Sequence, residues 1–347
     1  MEKNKEKLRQ LFDIREKDQL LEEEKQTLLA DILRSGRTVH FRKRIVQLSV
    51  AAAIPLILTL SFYFFKSMSS PVDLQQIAQM HRGQMDHSDH IQLIQSENEN
   101  SNKSRDGLHR KSGKSYTSDS VIYIANSDNK SQFTTIYVPY GKRQEVTLVD
   151  GTKVWLNAGS FLTMANNLGE GERRVFLNGE AYFDVAHTGT PFYVEMRENT
   201  VHVTGTSFNI NNYDDNRATV VELISGSILL KDNADRFEKI KMEPGQRVTV
   251  ERATAQVKME RSGGGQDILW REKQLVLNRL PLSELFKKLE RFYNIRIQAP
   301  PQLAHVQLSY SGRLDLRDDV ISIINDIYEL RDYQIELKEK EVIIRKK

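Results

Sequence analysis

Glu180, Asp184 and His187 fall within eight residues of one another in the stretch RRVFLNGEAYFDVAH, residues 173–187. Two carboxylates and an imidazole among apolar residues are the side chains of an acid–base site. Their spacing argues otherwise. Val175, Leu177, Ala181, Phe183 and Val185 share one parity with Gly179, while Phe176, Asn178, Glu180, Tyr182 and Asp184 share the other. That alternation predicts a strand with one buried face, bent at Gly179. Glu180 and Asp184 lie on the same face, but four residues of strand hold them about 13 Å apart. Paired glycosidase carboxylates stand roughly 5–9.5 Å apart. His187 has the other parity and sits among the turn residues HTGTP. No catalytic residue is expected here.

A second cluster is MHRGQMDHSDH, where His81, His87 and His90 accompany Asp86 and Asp89. Imidazole and carboxylate suit zinc or copper. The surrounding SENENSNKSRDGLHRKSGKSYTSDS is polar and aperiodic, so it offers no scaffold and no outer ligand shell. No metal and no cofactor is expected. The chain has no cysteine, which excludes disulfides and thiolate metal sites. Its 50 Lys+Arg against 47 Asp+Glu give a net charge of +3, too balanced for direct nucleic-acid binding.

The elements that must carry these residues divide the 347-residue chain into several parts. IVQLSVAAAIPLILTLSFYFF, residues 45–65, is the one long apolar run. As a helix it would measure about 31 Å, close to the ~30 Å hydrocarbon core of a bilayer. Arg34, Arg37, Arg42, Lys43 and Arg44 precede it, whereas Lys66 is followed by no basic residue until Arg82. The expectation is a single-pass helix in the inner (cytoplasmic) membrane, residues 1–44 in the cytoplasm and the bulk of the chain periplasmic. Residues 1–44 then form a short α-helical arm with two apolar clusters, Leu8, Leu11 and Phe12, then Leu28, Leu29, Ile32 and Leu33. An arm this short cannot build its own core, so these residues are candidates to lie in a partner's groove. Residues 66–120 read as a disordered tether.

From 121 to 260 the period becomes two, which predicts an all-β domain. Val146 and Leu148 precede Asp150-Gly151, and Val154 and Leu156 follow. A three-residue loop, Val149-Asp150-Gly151 with Gly151 left-handed, pairs Val146 with Val154 and keeps all four on one face. In VHVTGTSFNI the buried parity switches from Val201/Val203 to Phe208/Ile210, with Gly205 as the expected bulge. SGGGQD, residues 262–267, is a joint. Residues 267–347 read as a small α+β domain of order βαβ–βαββ, its helices on one face of one sheet. Leu282, Leu285, Phe286, Leu289, Phe292 and Tyr293 form one helical stripe with Ser283 as N-cap, and Val320, Ile323, Ile324, Ile327 and Tyr328 form another.

VPYGKRQEVTLVDGTKVWLNAGS, RVFLNGEAYFDVAH, VTGTSFNI and MEPGQRV resemble, in order and spacing, the successive blocks of the FecR family of sigma-factor regulators. The likeness rests on Asp150, Gly151, Asn157, Gly179, Glu180, Gly205, Phe208 and Gly245, and covers roughly residues 136–250. The chain departs from the pattern after NAGS, where it reads FLTMANN. LPLSELFKKLERFYNIRI and YSG resemble the C-terminal domain appended to FecR-like proteins of Bacteroidetes, itself similar to the short N-terminal domain of secretins and TonB-dependent transporters. The resemblance implies an anti-sigma factor with two partners. One is an extracytoplasmic-function sigma factor in the cytoplasm; the other is the signalling domain of a TonB-dependent outer-membrane transporter in the periplasm. The cytoplasmic arm lacks the tryptophans common in the family, since Trp155 and Trp270 both lie later. Two other readings compete with it, a membrane-anchored polysaccharide-active or polysaccharide-binding envelope protein and an adhesive one.

Overall fold

Alternating apolar residues bounded by glycine, asparagine and proline turns dominate the chain, and strands dominate the result. The computed structural model describes residues 26, 27, 29, 30, 73–82, 89–98, 108–116, 121–124, 133–166, 168, 172–304, 309–327 and 332–347. Residues 73–347 form one unit and 1–72 another.

The β-rich part begins with helix α1 (Leu74–Arg82) and strands β1 (Ile91–Asn98), β2 (Leu108–Tyr116), β3 (Ile122–Tyr123) and β4 (Phe133–Val138). It continues with β5 (Gln144–Thr147), β6 (Lys153–Leu156), β7 (Ser160–Ala165) and β8 (Arg173–Asp184). Then come β9 (Phe192–Glu195), β10 (Asn199–Val203), β11 (Ser207–Asn212) and β12 (Ala218–Ser225). The last four are β13 (Ile228–Asp232), β14 (Ile240–Met242), β15 (Gln246–Glu251) and β16 (Val257–Arg261). The first sheet has the order β14–β13–β10–β9–β8–β7–β4–β1–β2, the second β16–β15–β12–β11–β8–β6–β5–β3.

Strand β8 belongs to both sheets. Its first half pairs with β7 and β9, and its second half, from Gly179 onward, pairs with β6 and β11. The corner is Gly179, at φ +124°. A Cβ there would lie 2.4 Å from Ser160 Oγ and 2.6 Å from Ser160 Cα, so only glycine fits. Inner faces of both sheets share one core. Phe183 bridges them, its ring 5.1 Å from Phe208 of the second sheet and 6.3 Å from Phe192 of the first. Each such buried apolar side chain stabilises the fold by about 1.5–3 kcal/mol.

The β5–β6 hairpin has the register expected of a three-residue loop: Val146 faces Val154, and Gly151 is left-handed at φ +82°. At Gly205 the expectation needs correction. The parity switches because residues 204–206 carry the chain from β10 in the first sheet to β11 in the second. The register irregularity lies at Ser207/Phe208 instead. The stretch expected as a tether also holds structure. Leu74, Ile77 and Ala78 of α1 bury against Phe133 and Phe176 on the outer face of the first sheet. Strand β1 pairs with β4, which needs only backbone groups plus buried Ile91, Leu93 and Ile94.

A 3-10 helix (Gln266–Glu272) leads to the α+β part. Its elements are β17 (Gln274–Pro281), α2 (Leu282–Tyr293), β18 (Arg296–Gln298), α3 (Pro301–Ala304), β19 (Ser309–Asp315), α4 (Val320–Asn325), β20 (Tyr333–Lys338) and β21 (Glu341–Lys346). Leu282, Leu285, Phe286 and Leu289 of α2 and Val320, Ile323 and Ile324 of α4 are buried in a core separate from that of the β-domain. Helix α2 starts after Pro281 with no side-chain cap, so Ser283 lies inside it. The strands form two sheets, β17–β19 and β18–β21–β20, where one was expected.

The expected architecture is corrected in a further respect. Among the described residues no helix is long and apolar enough to cross a membrane. Among the described residues the longest helix, α2, has 12 residues, about 18 Å at 1.5 Å per residue. The described fold is mostly β with a few short helices, in place of the expected helical arm and membrane helix. Residues 45–65 lie outside the described set, as do Leu8, Leu11, Phe12, Leu28, Ile32 and Leu33. Leu29 is described; it is helical and 59% exposed.

Candidate functional site

The three residues that suggested acid–base chemistry are engaged separately. Glu180, buried just beyond the corner of β8, accepts from Asn157 Nδ2 at 2.7 Å and Asn209 Nδ2 at 3.3 Å. Ser160 Oγ accepts from the Glu180 N–H at 2.9 Å and donates to its carbonyl at 3.0 Å. Asp184 accepts from Ser207 Oγ at 2.9 Å on the exposed side. The His187 ring covers Gly205, where an added Cβ would sit 1.7 Å from Nδ1. These are fastenings between strands, with no convergence on a shared point.

A residue the sequence did not flag is more heavily engaged. Arg173 opens β8 with its side chain 0% exposed, paired at 2.7 Å with Asp150, itself 3% exposed. Its guanidinium also donates to the carbonyls of Ala186 at 3.0 Å, Thr190 at 2.6 Å and Thr204 at 3.4 Å. Asp150 in turn accepts from the Thr152 N–H at 3.0 Å and Oγ1 at 2.7 Å. One buried cation therefore ties the β5–β6 turn to two further loops. The Asp150-Gly151 pair was legible as a turn, but nothing local marks Arg173 as its partner.

The outward face of the second sheet carries one continuous cross-strand row: Glu145, Trp155, Tyr182, Asn209, Glu222, Arg247 and Glu260. The 3-10 helix lies over the middle of this row. Trp270 Nε1 donates to Asn209 Oδ1 at 3.3 Å, and the N–H groups of Gly265 and Asp267 donate to the Glu222 carboxylate, each at 3.2 Å. Arg247 approaches Asp267 at 3.3 Å as an ion pair without hydrogen-bond alignment. The side chain of Asp267 keeps 24% of its surface open, yet protein surrounds the rest of it. Burial pushes its carboxyl up to about 6; Glu222 and Glu180 add to the rise, and Arg247 and Lys288 oppose it.

Helix α2 completes the seam. The Arg291 guanidinium lies 3.7 Å above the Tyr213 ring and pairs with Asp215, and the Arg291 carbonyl accepts from the Gly141 N–H at 2.7 Å. Tyr213 donates to the Ala158 carbonyl at 2.7 Å, and burial raises its phenol far above the ordinary value. A cleft of about 50 Å³ remains between the two parts, lined in part by Glu180, Asp267, Trp270 and Arg291. Here polar side chains bury against polar side chains, which fixes one docking geometry.

The remaining sequence-selected residues have structural placements. Phe208 is core, and Gly245 at φ +79° turns the chain into β15 while its N–H donates to the Leu223 carbonyl. Among the described residues no group of three or more His, Cys, Asp or Glu is arranged for a metal ion. His87 and Asp86 lie outside the described residues, as does the side chain of His81. His90 is exposed. Asp89 accepts from Lys340 Nζ at 3.2 Å and Asn294 Nδ2 at 3.4 Å, and Lys340 holds its carboxyl below the usual value.

These features define a β-rich module in two parts, locked across a polar seam. Its first part matches the family described as FecR protein over residues 134–229, and its second matches the FecR C-terminal family over residues 274–344. The chain is similar to the FecR family in both parts. Two crystal structures of a proposed anti-sigma factor from Parabacteroides distasonis ATCC 8503 are similar to it, each at 26% identity. One covers 62% of this chain and 99% of its own with a TM-score of 0.57; the other covers 61% and 99% with a TM-score of 0.56. No curated protein matches the chain.

Proposed function

We propose that this protein is a FecR-family anti-sigma factor, a regulator rather than an enzyme. In this reading it relays the state of a TonB-dependent outer-membrane transporter to an extracytoplasmic-function sigma factor. The observation that carries the reading is the likeness to the Parabacteroides protein along 99% of that protein's chain and 62% of this one. The locked seam supports it, because a relay needs a body that presents one fixed surface to a partner. Residues 1–44 bind the sigma factor through Leu8, Leu11, Phe12, Leu28, Leu29, Ile32 and Leu33. The exposure of Leu29 leaves it available for that contact. The location belongs to the same proposal: the cytoplasmic membrane, with residues 1–44 inside and the β-domain in the periplasm. It rests on the basic residues that flank the apolar run on one side only.

The test is recovery of a sigma factor with the full chain from its own cells, and its loss with Leu29→Glu and Ile32→Glu. Transcription from the sigma factor's promoters should change in the same variants. Retention of the sigma factor by both variants would remove residues 1–44 as the binding segment. Protease accessibility placing both termini on one side of the membrane would remove the location.

A further inference from the structure

At the open end of the seam, Trp155 of β6 and Tyr182 of β8 stand side by side on the outward face, ring centres 5.4 Å apart. Arg271 lies over both, its guanidinium 4.1 Å from the centre of the Trp155 ring and 4.6 Å from that of Tyr182. Beside it a cavity of about 180 Å³ is lined by Arg143, Glu145, Trp155, Trp270 and Arg271. Arg143 stacks over Phe292 at 4.6 Å and donates Nη1 to the Trp270 carbonyl at 3.1 Å. Among the described residues neither Arg143 nor Arg271 has a carboxylate within ion-pair distance. Burial lowers the pKa of Arg143, as expected where a cation lacks a nearby counter-charge.

Two guanidinium groups are thus held on aromatic faces around one notch, with only Glu145 opposing them. Stacking fixes each plane and leaves N–H edges open, which is the form in which arginine takes a carboxylate through paired bonds. Tryptophan, tyrosine and arginine are also the residues that dominate binding energy at protein interfaces. We propose that this notch receives a carboxylate side chain from an acidic segment of a partner protein. The assignment rests on reading the β-domain as the partner-facing part of a regulator, and it supplies the partner's chemistry.

The chain contains two tryptophans, Trp155 and Trp270, and both line the notch, so intrinsic fluorescence reports on it without a label. The full chain is titrated with an acetylated tri-glutamate amide, the matching tri-glutamine amide and inorganic phosphate, each at constant ionic strength. The expected result is a saturable fluorescence change with tri-glutamate and none with tri-glutamine. Arg271→Gln should weaken the response about tenfold or more, the loss of one charge-assisted pair. Arg271→Lys should restore part of it, and Glu145→Gln should tighten it. Equal responses to the two peptides, or unchanged affinity in a folded Arg271→Gln protein, would overturn the proposal. Phosphate binding as tightly as tri-glutamate would overturn the assignment to a protein carboxylate. The two readings fail separately. Peptide binding with no sigma factor recovered keeps the notch and removes the regulator, and sigma release by Leu29→Glu without peptide binding does the reverse.

Discussion

Replacing Arg173 by methionine removes a charge and four hydrogen bonds from a fully buried position, while keeping most of the side-chain volume. The variant leaves Asp150 buried with only the two bonds from Thr152, and strips the carbonyls of Ala186, Thr190 and Thr204 of a donor. Breaking one side of a buried ion pair destabilises a fold by about 3–5 kcal/mol. In a unit of this size, at about 2 °C per kcal/mol, that is a fall in Tm of roughly 6–10 °C. Asp150→Asn should cost about 3 kcal/mol, since the cation keeps its carbonyls and loses its counter-charge. The double variant should be less destabilised than the sum of the two by about 2 kcal/mol, because each single change strands a group that the other removes. Urea unfolding followed by circular dichroism, with slopes compared across the four proteins, gives all the terms. A loss under about 1 kcal/mol for Arg173→Met, or additive single effects, would show that this cation does not hold the loops.

Two other outcomes are expected. The folded carboxyl of Asp267 titrates at about 6 against an ordinary 3.8, so the folded state holds its proton through that interval. Stability should therefore be highest near the lower value, fall as pH rises toward about 6 and level off above it. Asp267→Asn should flatten that limb of a Tm-against-pH curve, and a limb unchanged in the variant would assign it to another group. Gly179→Ala should cost more than the ~1 kcal/mol of an ordinary loop glycine, because its Cβ meets the Ser160 backbone at a φ of +124°. A thermal shift within error of wild type would mean that β8 can turn its corner another way.

What could be read from the sequence followed local chemistry. Asp150-Gly151 between two alternating runs gave the hairpin register, and the spacing of Leu282, Leu285, Phe286 and Leu289 gave the α2 stripe. The order of elements in the α+β part was legible apart from the short α3, but their division into two sheets was not, because pairing depends on residues distant in the chain. Strand β8 read as one run, since Leu177 and Ala181 keep the same parity through the corner and leave no trace of the change of sheet. Arg173 was invisible because an arginine at a strand start reads as surface, and its partner lies 23 residues away. Strands β1 and β2 were missed because backbone pairing at a sheet edge makes little demand on side-chain pattern. The reading of a helical arm and membrane helix followed apolar spacing, one long apolar run and its basic flank, whereas the described fold is mostly β.

The corner at Gly179 makes β8 common property of two layers. Neither layer can peel away or slide without unpairing the same strand, so the domain is expected to melt as a whole, with no half left standing. News arriving at one surface must then travel as a displacement of the entire body. Sensing and reporting become questions of where the domain is held and by whom, with little room for bending inside it.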